Sequence, residues 1–247
     1  MSKEKKIKAV IFDLDDTLLS EYEFVVSGYK YVSVFLSRMI GVSAEEINER
    51  LWELSKDTYA NAFNRLFDSY GIAYTKNEVI SLVDAYRNHP ANLTFYPDVY
   101  PTLNALKEKG ILTGIISDGD PQRQWNKINF AVAAMQSDNR SENDGQELAS
   151  PDKWFDAIIL NDEFGGERFR KPNPHGFKVI AGKLGIDPSE MIYVGDNPAK
   201  DFHISADLPV RTARIIREHG IYNDKEYLDG IKETYGITAL TDILDII

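Results

Sequence analysis

The sequence predicts a doubly wound α/β parallel sheet interrupted after its first strand by a small all-helical domain. Short apolar runs bounded by turn residues recur along the chain, and helical periodicity fills most of the gaps between them. One stretch near the N-terminus has helical periodicity and no strand at all. Apolar side chains on consecutive residues suit strands buried on both faces of a parallel sheet. Strand–helix alternation with short links then gives the layered α/β arrangement.

The first strand is expected at residues 8–12, followed at once by Asp13, Asp15 and Asp16. Residues 21–92 follow as helices, at 24–40, 59–70 and 78–86. A further helix, opened by Ser43-Ala44-Glu45-Glu46, carries Ile47, Leu51 and Leu54. Serine followed three residues later by glutamate reads as a capping box. The chain returns to the sheet through Tyr96-Pro97-Asp98-Val99, so the sheet domain comprises 1–20 and 93–247 and the helical domain 21–92. A helix over 100–109 stops at Gly110, and strands are expected at 111–116, 155–160, 191–194 and, more weakly, 210–216. Between the strands at 155–160 and 191–194, residues 174–184 place Phe177, Ile180, Ala181 and Leu184 on one helical face, with Gly185 just past its end. Residues 137–152, SDNRSENDGQELASPD, are polar and aperiodic and read as an exposed loop. In the helical domain Tyr29, Phe35, Trp52, Tyr59, Phe63 and Phe67 read as packing residues. The carboxyl tail, with Leu240, Ile243, Leu244 and Ile247 at helical spacing, is expected to pack on its own sheet.

Composition removes several classes of function. The 247 residues carry a formal charge of −11, against the clustered basic surface that nucleic-acid binding requires. There is no cysteine, which excludes disulfides, thiolate metal sites and thiol nucleophiles. The four histidines are widely spaced and offer no zinc pair at helical spacing. The apolar segment after the basic N-terminus is broken by Lys8 and closed by Asp13, too short for a signal peptide, and no 18-residue apolar run occurs. The expectation is a soluble, cytoplasmic protein with no membrane or nucleic-acid partner.

Ligands of an open parallel sheet bind beyond the carboxyl ends of its strands. The first strand is followed there by Asp13, Asp15, Asp16 and Thr17, and the second by Ser117, Asp118 and Gly119. The fourth is followed by Asp196 and Asp201, and Lys171 lies in Arg170-Lys171-Pro172-Asn173-Pro174 between the third and fourth. Clustered carboxylates repel one another, and a hard divalent cation relieves that repulsion. Oxygen-only donors point to Mg²⁺, which accepts one or two carboxylates and a substrate phosphate oxygen. Lys171, the Ser117 hydroxyl and main-chain N–H groups at Asp118-Gly119 suit the phosphate itself. Phosphoryl chemistry with one carboxylate as nucleophile and another as proton donor is the reaction such a set suggests.

Phe12-Asp13-Leu14-Asp15-Asp16-Thr17-Leu18 resembles the first motif of the haloacid dehalogenase-like hydrolase superfamily. Ser117 closing Ile115-Ile116-Ser117-Asp118-Gly119 resembles the second, Lys171-Pro172-Asn173-Pro174 the third, and Gly195-Asp196-Asn197-Pro198-Ala199-Lys200-Asp201 the fourth. All four occur in the family's order, and the helical insert falls where the family carries an α-helical cap on its Rossmann-like core. The resemblance spans residues 7–216. It implies that Asp13 takes the phosphoryl group as an aspartyl-phosphate, and that Asp15 protonates the leaving alcohol and then activates water. Mg²⁺ would be held by the Asp13 carboxylate, the Asp15 main-chain carbonyl and Asp196. Ser117, Asp118 and Lys171 would bind phosphoryl oxygens. Thr17 would position the first loop, and Asp201 would act through a water or by orienting Lys171. Asp16 stands where many relatives have glycine, and beyond Gln124-Trp125-Asn126-Lys127-Ile128 the chain departs from the usual short link. The expected function is a Mg²⁺-dependent phosphatase for a small phosphorylated metabolite, with a phosphomutase or a non-catalytic phosphometabolite-binding protein as alternatives. A dehalogenase is disfavoured, because that chemistry has no use for Asp15.

Overall fold

The computed structural model describes residues 5–91, 93–138 and 150–247. The chain divides into two compact units, Met1–Tyr22 with Leu93–Ile247, and Glu23–Asn92.

The first unit holds a six-stranded sheet, and every pairing in it is parallel. Its strands are β1 (Ala9–Phe12), β2 (Leu112–Ser117), β3 (Ala157–Leu160), β4 (Met191–Gly195), β5 (Arg211–Ile215) and β6 (Tyr235–Ile237), in spatial order β3-β2-β1-β4-β5-β6. The order reverses at β1, flanked by β2 and β4, so the loops after these three strands converge on one edge. Residues of β1 alternate between two cores. Val10 and Phe12 pack with Leu14, Leu18, Ile115, Ile192 and Val194 on one face. Ala9 and Ile11 pack with Ile116, Phe177, Ile180 and Tyr193 on the other. That two-sided burial explains the apolar runs, because no strand residue near the centre meets water.

Helices α5 (Val99–Glu108), α6 (Pro121–Asp138), α7 (His175–Leu184) and the short α8 (Ile204–Asp207) connect the strands. Helix α6 was not anticipated in the sequence. Its buried stripe is Gln124, Lys127, Ile128, Ala131, Val132 and Met135, so the first two stripe positions are polar and the apolar period is hidden. Its last two residues, Ser137 and Asp138, were assigned above to a loop, and Pro151–Lys153 forms a 3-10 turn. The rest of that expectation, 139–149, lies outside the described residues. Strand β6 was not singled out either: it has three residues and only Ile237 is buried. The tail forms a 3-10 helix, Leu240–Asp245, that buries Leu240 and Ile243.

The second unit consists of α1 (Glu21–Ile40) from residue 23 onward, with α2 (Ala44–Leu54), α3 (Ala62–Ser69) and α4 (Lys76–Arg87). Its core contains Tyr29, Val32, Leu36, Ile47, Leu51, Phe63, Leu66 and Phe67. A Cβ on Gly28 would stand 2.4 Å from Tyr86 Cε2, so α1 approaches α4 closely only because residue 28 has no side chain. Ser43 caps α2 by accepting from the Glu46 N–H at 3.1 Å, but the box is not reciprocal, since Glu46 accepts from the Tyr70 hydroxyl instead. A reciprocal box does occur at Thr75 and Glu78, opening α4. Of the aromatic residues read as packing, Phe35 and Tyr59 are exposed, at 44% and 36%. Among the described residues no helix is long and apolar enough to cross a membrane.

Candidate active site

The loop after β1 is held from several directions. The Asp13 N–H donates to the Val194 carbonyl at 2.8 Å, which carries the sheet ladder one residue past the strand. Leu18 and Leu19 both donate to the Leu14 carbonyl, which closes a tight turn. Asp16 sits at φ 53°, and its carboxylate accepts from the Glu21 and Ile221 N–H groups at 3.0 Å each. The left-handed conformation favours glycine; the two hydrogen bonds compensate an aspartate for its strain. The Thr17 carbonyl accepts from the Arg217 guanidinium at 2.8 and 3.2 Å, and Arg217 is itself paired with Asp98. Thr17 therefore anchors the loop through its main chain, while its buried hydroxyl has no hydrogen-bond partner.

At the carboxyl edge Lys171, fully buried, reaches three side chains and, at 3.5 Å, the Ile116 carbonyl. Its Nζ donates to Asp13 Oδ1 at 2.5 Å and to the Tyr193 hydroxyl at 2.6 Å, and pairs with Asp201 Oδ1 at 3.1 Å. Asp201 Oδ2 accepts the Asn197 N–H at 2.9 Å, which ties the loop after β4 to itself. A Cβ on Gly195 would lie 2.5 Å from that same oxygen, so the Gly-Asp sequence at the strand end is a steric requirement. Carboxylate oxygens of Asp13, Asp196 and Asp201 lie within 4.8 Å of one another, all three residues buried. Asp196 Oδ2 is buried with no hydrogen-bond partner. Three buried carboxylates, one with an oxygen left without a partner, could hold a hard divalent cation, and no nitrogen or sulfur donor belongs to the group.

Ser117 ends β2, and its Oγ accepts from Gln124 Nε2 at 2.7 Å. The Asp118 carboxylate accepts from Asn161 Nδ2 at 2.8 Å, from Lys200 Nζ at 2.9 Å and from the Lys171 N–H at 3.1 Å. It thereby joins the loops after β2, β3 and β4. Of the two N–H groups expected to cradle an anion, that of Gly119 is directed at Asp162 Oδ1, 3.3 Å away, rather than outward. Asp162 is in turn held by the Arg170 guanidinium through two bonds of 2.7 and 2.8 Å.

Asp15 stands apart from the three clustered carboxylates. Its Oδ2 accepts from Gln124 Nε2 at 2.7 Å and its Oδ1 from Lys127 Nζ at 2.7 Å. Lys127 also pairs with Glu21. The sequence reading missed Gln124, Lys127, Glu21, Tyr193 and Lys200. Two of them had a legible signal: Gln124 and Lys127 are three apart just after the second motif, hence on one helical face aimed back at it.

The electrostatics follow from burial and proximity. Burial pushes the Asp13 carboxyl up to about 6, with Asp201 adding to the effect and Lys171 opposing it. Asp196 is raised well above the carboxylate range by burial and by Asp201, Asp13 and Asp16. A divalent cation bound here would oppose both shifts, because it favours the charged forms. Burial would lower Lys171 but Asp13, Asp201 and Asp118 overcome it, so the amine is held firmly as an ammonium. Burial would likewise raise Asp15, yet Lys127 and Arg123 outweigh it and hold the carboxyl well below its usual range.

The model of the haloacid dehalogenase-like hydrolase family matches residues 7–202, and a related hydrolase-like model matches residues 168–239. The chain belongs to the haloacid dehalogenase-like hydrolase family. The glyceraldehyde 3-phosphate phosphatase of Methanocaldococcus jannaschii is 30% identical over 247 residues, covering 98% of this chain and 97% of that protein. Pyrophosphatase PpaX of Bacillus velezensis is 27% identical over 198 residues, covering 78% and 76%. Among solved structures, a HAD phosphatase from Thermococcus onnurineus superposes with a TM-score of 0.59 at 26% identity, covering 97% of both chains.

Proposed function

We propose that the chain is a Mg²⁺-dependent phosphatase that hydrolyses a small phosphomonoester through an aspartyl-phosphate on Asp13. The observation that carries this reading is the buried group of Asp13, Asp196 and Asp201 with Lys171 bonded to two of them. The Asp13 carboxylate, the Asp15 main-chain carbonyl and Asp196 would hold the ion. Bound Mg²⁺ supplies positive charge against the transferring phosphoryl oxygens. Asp13 attacks phosphorus, and Ser117 Oγ, Lys171 Nζ and the Asp118 N–H bind the three oxygens that take up charge. Asp15, an ionised carboxylate before substrate binds, takes up a proton on binding, gives it to the leaving oxygen and then takes one from the water that hydrolyses the acyl phosphate. Asp201 orients Lys171, and Thr17 fixes the loop that carries both catalytic carboxylates.

A relative named as a glyceraldehyde 3-phosphate phosphatase, aligned over nearly the whole of both chains, favours a short phosphorylated metabolite as substrate. The more distant pyrophosphatase makes inorganic pyrophosphate the competing substrate. Phosphate release is measured from glyceraldehyde 3-phosphate, phosphoglycolate, sugar phosphates and pyrophosphate, with Mg²⁺ and with a chelator, beside Asp13→Asn. Release that needs both Mg²⁺ and Asp13 is the expected result. A folded protein that releases phosphate from none of them, or an Asp13→Asn variant as active as the parent, would overturn the proposal.

A further inference from the structure

We propose that Lys127, braced by Glu21, is the positioning residue for Asp15, holding its carboxylate where proton transfer to and from the substrate takes place. The inference rests on the role given to Asp15 above. Lys127 lies on α6 in the buried stripe that continues through Ile128, Ala131, Val132 and Met135, and its side chain is fully buried. An apolar residue at that position would continue the core without cost, whereas a buried ammonium loses its hydration and stays only if paired. Asp15, at 2.7 Å, and Glu21 are among its partners. Gln124, one turn earlier, takes the other Asp15 oxygen and the Ser117 hydroxyl at 2.7 Å each. Each Asp15 oxygen thus meets a donor from the same rigid helix, which leaves the carboxylate one orientation. Glu21 prevents Lys127 from swinging, and without the ammonium two partly buried carboxylates would face each other and separate.

The test is a double-mutant cycle with the full chain, Mg²⁺ and p-nitrophenyl phosphate as the probe: wild type, Lys127→Met, Asp15→Asn and the double variant. Lys127→Met is expected to lower kcat by about tenfold to a hundredfold, part of the contribution of a positioned proton-transfer group, with KM nearly unchanged. In the Asp15→Asn background the same substitution is expected to change kcat by less than about threefold, since a residue acting through Asp15 has nothing left to position. Equal losses in both backgrounds would overturn the inference. If Lys127→Met does not fold, Glu21→Gln, which keeps the shape and the lysine, is carried through the same cycle with the same criterion. A crystal structure of the variant supplies a readout independent of turnover. A rotated Asp15 carboxylate supports the inference and an unmoved one overturns it. Failure of wild type on every phosphomonoester would refute the phosphatase reading, while the Asp15 conformer would still decide the role of Lys127.

Discussion

Replacing Lys171 by methionine removes the ammonium that touches Asp13 and Asp201, and the fold feels this before any chemistry does. The side chain is fully buried, and those of its two carboxylate partners are 5% and 0% exposed. Methionine has similar length and volume, so packing is nearly conserved and the loss is electrostatic. Breaking a buried ion pair by deleting one partner costs about 3–5 kcal/mol, because the remaining charge is uncompensated. At about 2–4 °C per kcal/mol for a chain of this size, Tm should fall by roughly 6–20 °C in the presence of a chelator. Mg²⁺ bound as proposed to the folded carboxylates and not to the unfolded chain would stabilise by mass action. In the variant it also replaces the missing positive charge. The rise in Tm on adding Mg²⁺ should therefore be larger in Lys171→Met than in wild type. Scanning calorimetry with chelator and with saturating Mg²⁺ measures all four values. A variant whose Tm stays within about 2 °C of wild type under both conditions would refute the reasoning, since the ammonium would then not be compensating the carboxylates.

Other parts of the structure make separate predictions. Burial would raise the Asp118 carboxyl, but Lys171, Lys200 and Asn161 outweigh it and hold it at about 2 against an ordinary value of 3.8. The folded state then binds fewer protons than the unfolded state between those values, so about 2 kcal/mol of stability, present above pH 4, is lost as pH falls toward 2. Asp118→Asn should flatten that slope in acid-unfolding curves; an unchanged slope would contradict the assignment. Gly195→Ala puts a Cβ 2.5 Å from Asp201 Oδ2 and should displace Asp201 from Lys171. The expected result is a circular dichroism spectrum like wild type with phosphate release reduced by at least about tenfold, by analogy with other displaced supporting groups. In the helical unit, Phe67→Ala removes a ring that is 1% exposed and should cost about 3–5 kcal/mol in denaturant unfolding.

The layout of the sheet was legible because its strands are buried on both faces, which makes runs such as Ala9–Phe12 and Met191–Gly195 uniformly apolar. The carboxylates after those strands were legible for the complementary reason: acidic residues directly after an apolar strand have no role in its packing. Less was legible where the site reaches into the hydrophobic pattern. Helix α6 was missed because Gln124 and Lys127 occupy stripe positions that packing alone would make apolar, and the feature that hid the helix is the one that holds Asp15. Tyr193 read only as a strand residue, since its ring packs against Phe177 while its hydroxyl meets Lys171. Strand β6 was too short and too exposed to show a period. In the helical unit the spacing of apolar residues located the helices, but it could not tell Phe67, which is buried, from Phe35, which is not. Both are aromatic residues at helical spacing, and only the neighbouring helices decide which face is covered.

The central claim is that Asp13 becomes covalently phosphorylated, and trapping that species tests it most directly. The enzyme is mixed with Mg²⁺ and its preferred phosphomonoester, quenched within one turnover, reduced with borohydride and digested for peptide mass analysis. The account predicts homoserine in place of aspartate at position 13, in a Mg²⁺-dependent yield that vanishes in Asp13→Asn. An unmodified Asp13 during active turnover, or a phosphoryl group recovered on Ser117 instead, would contradict it.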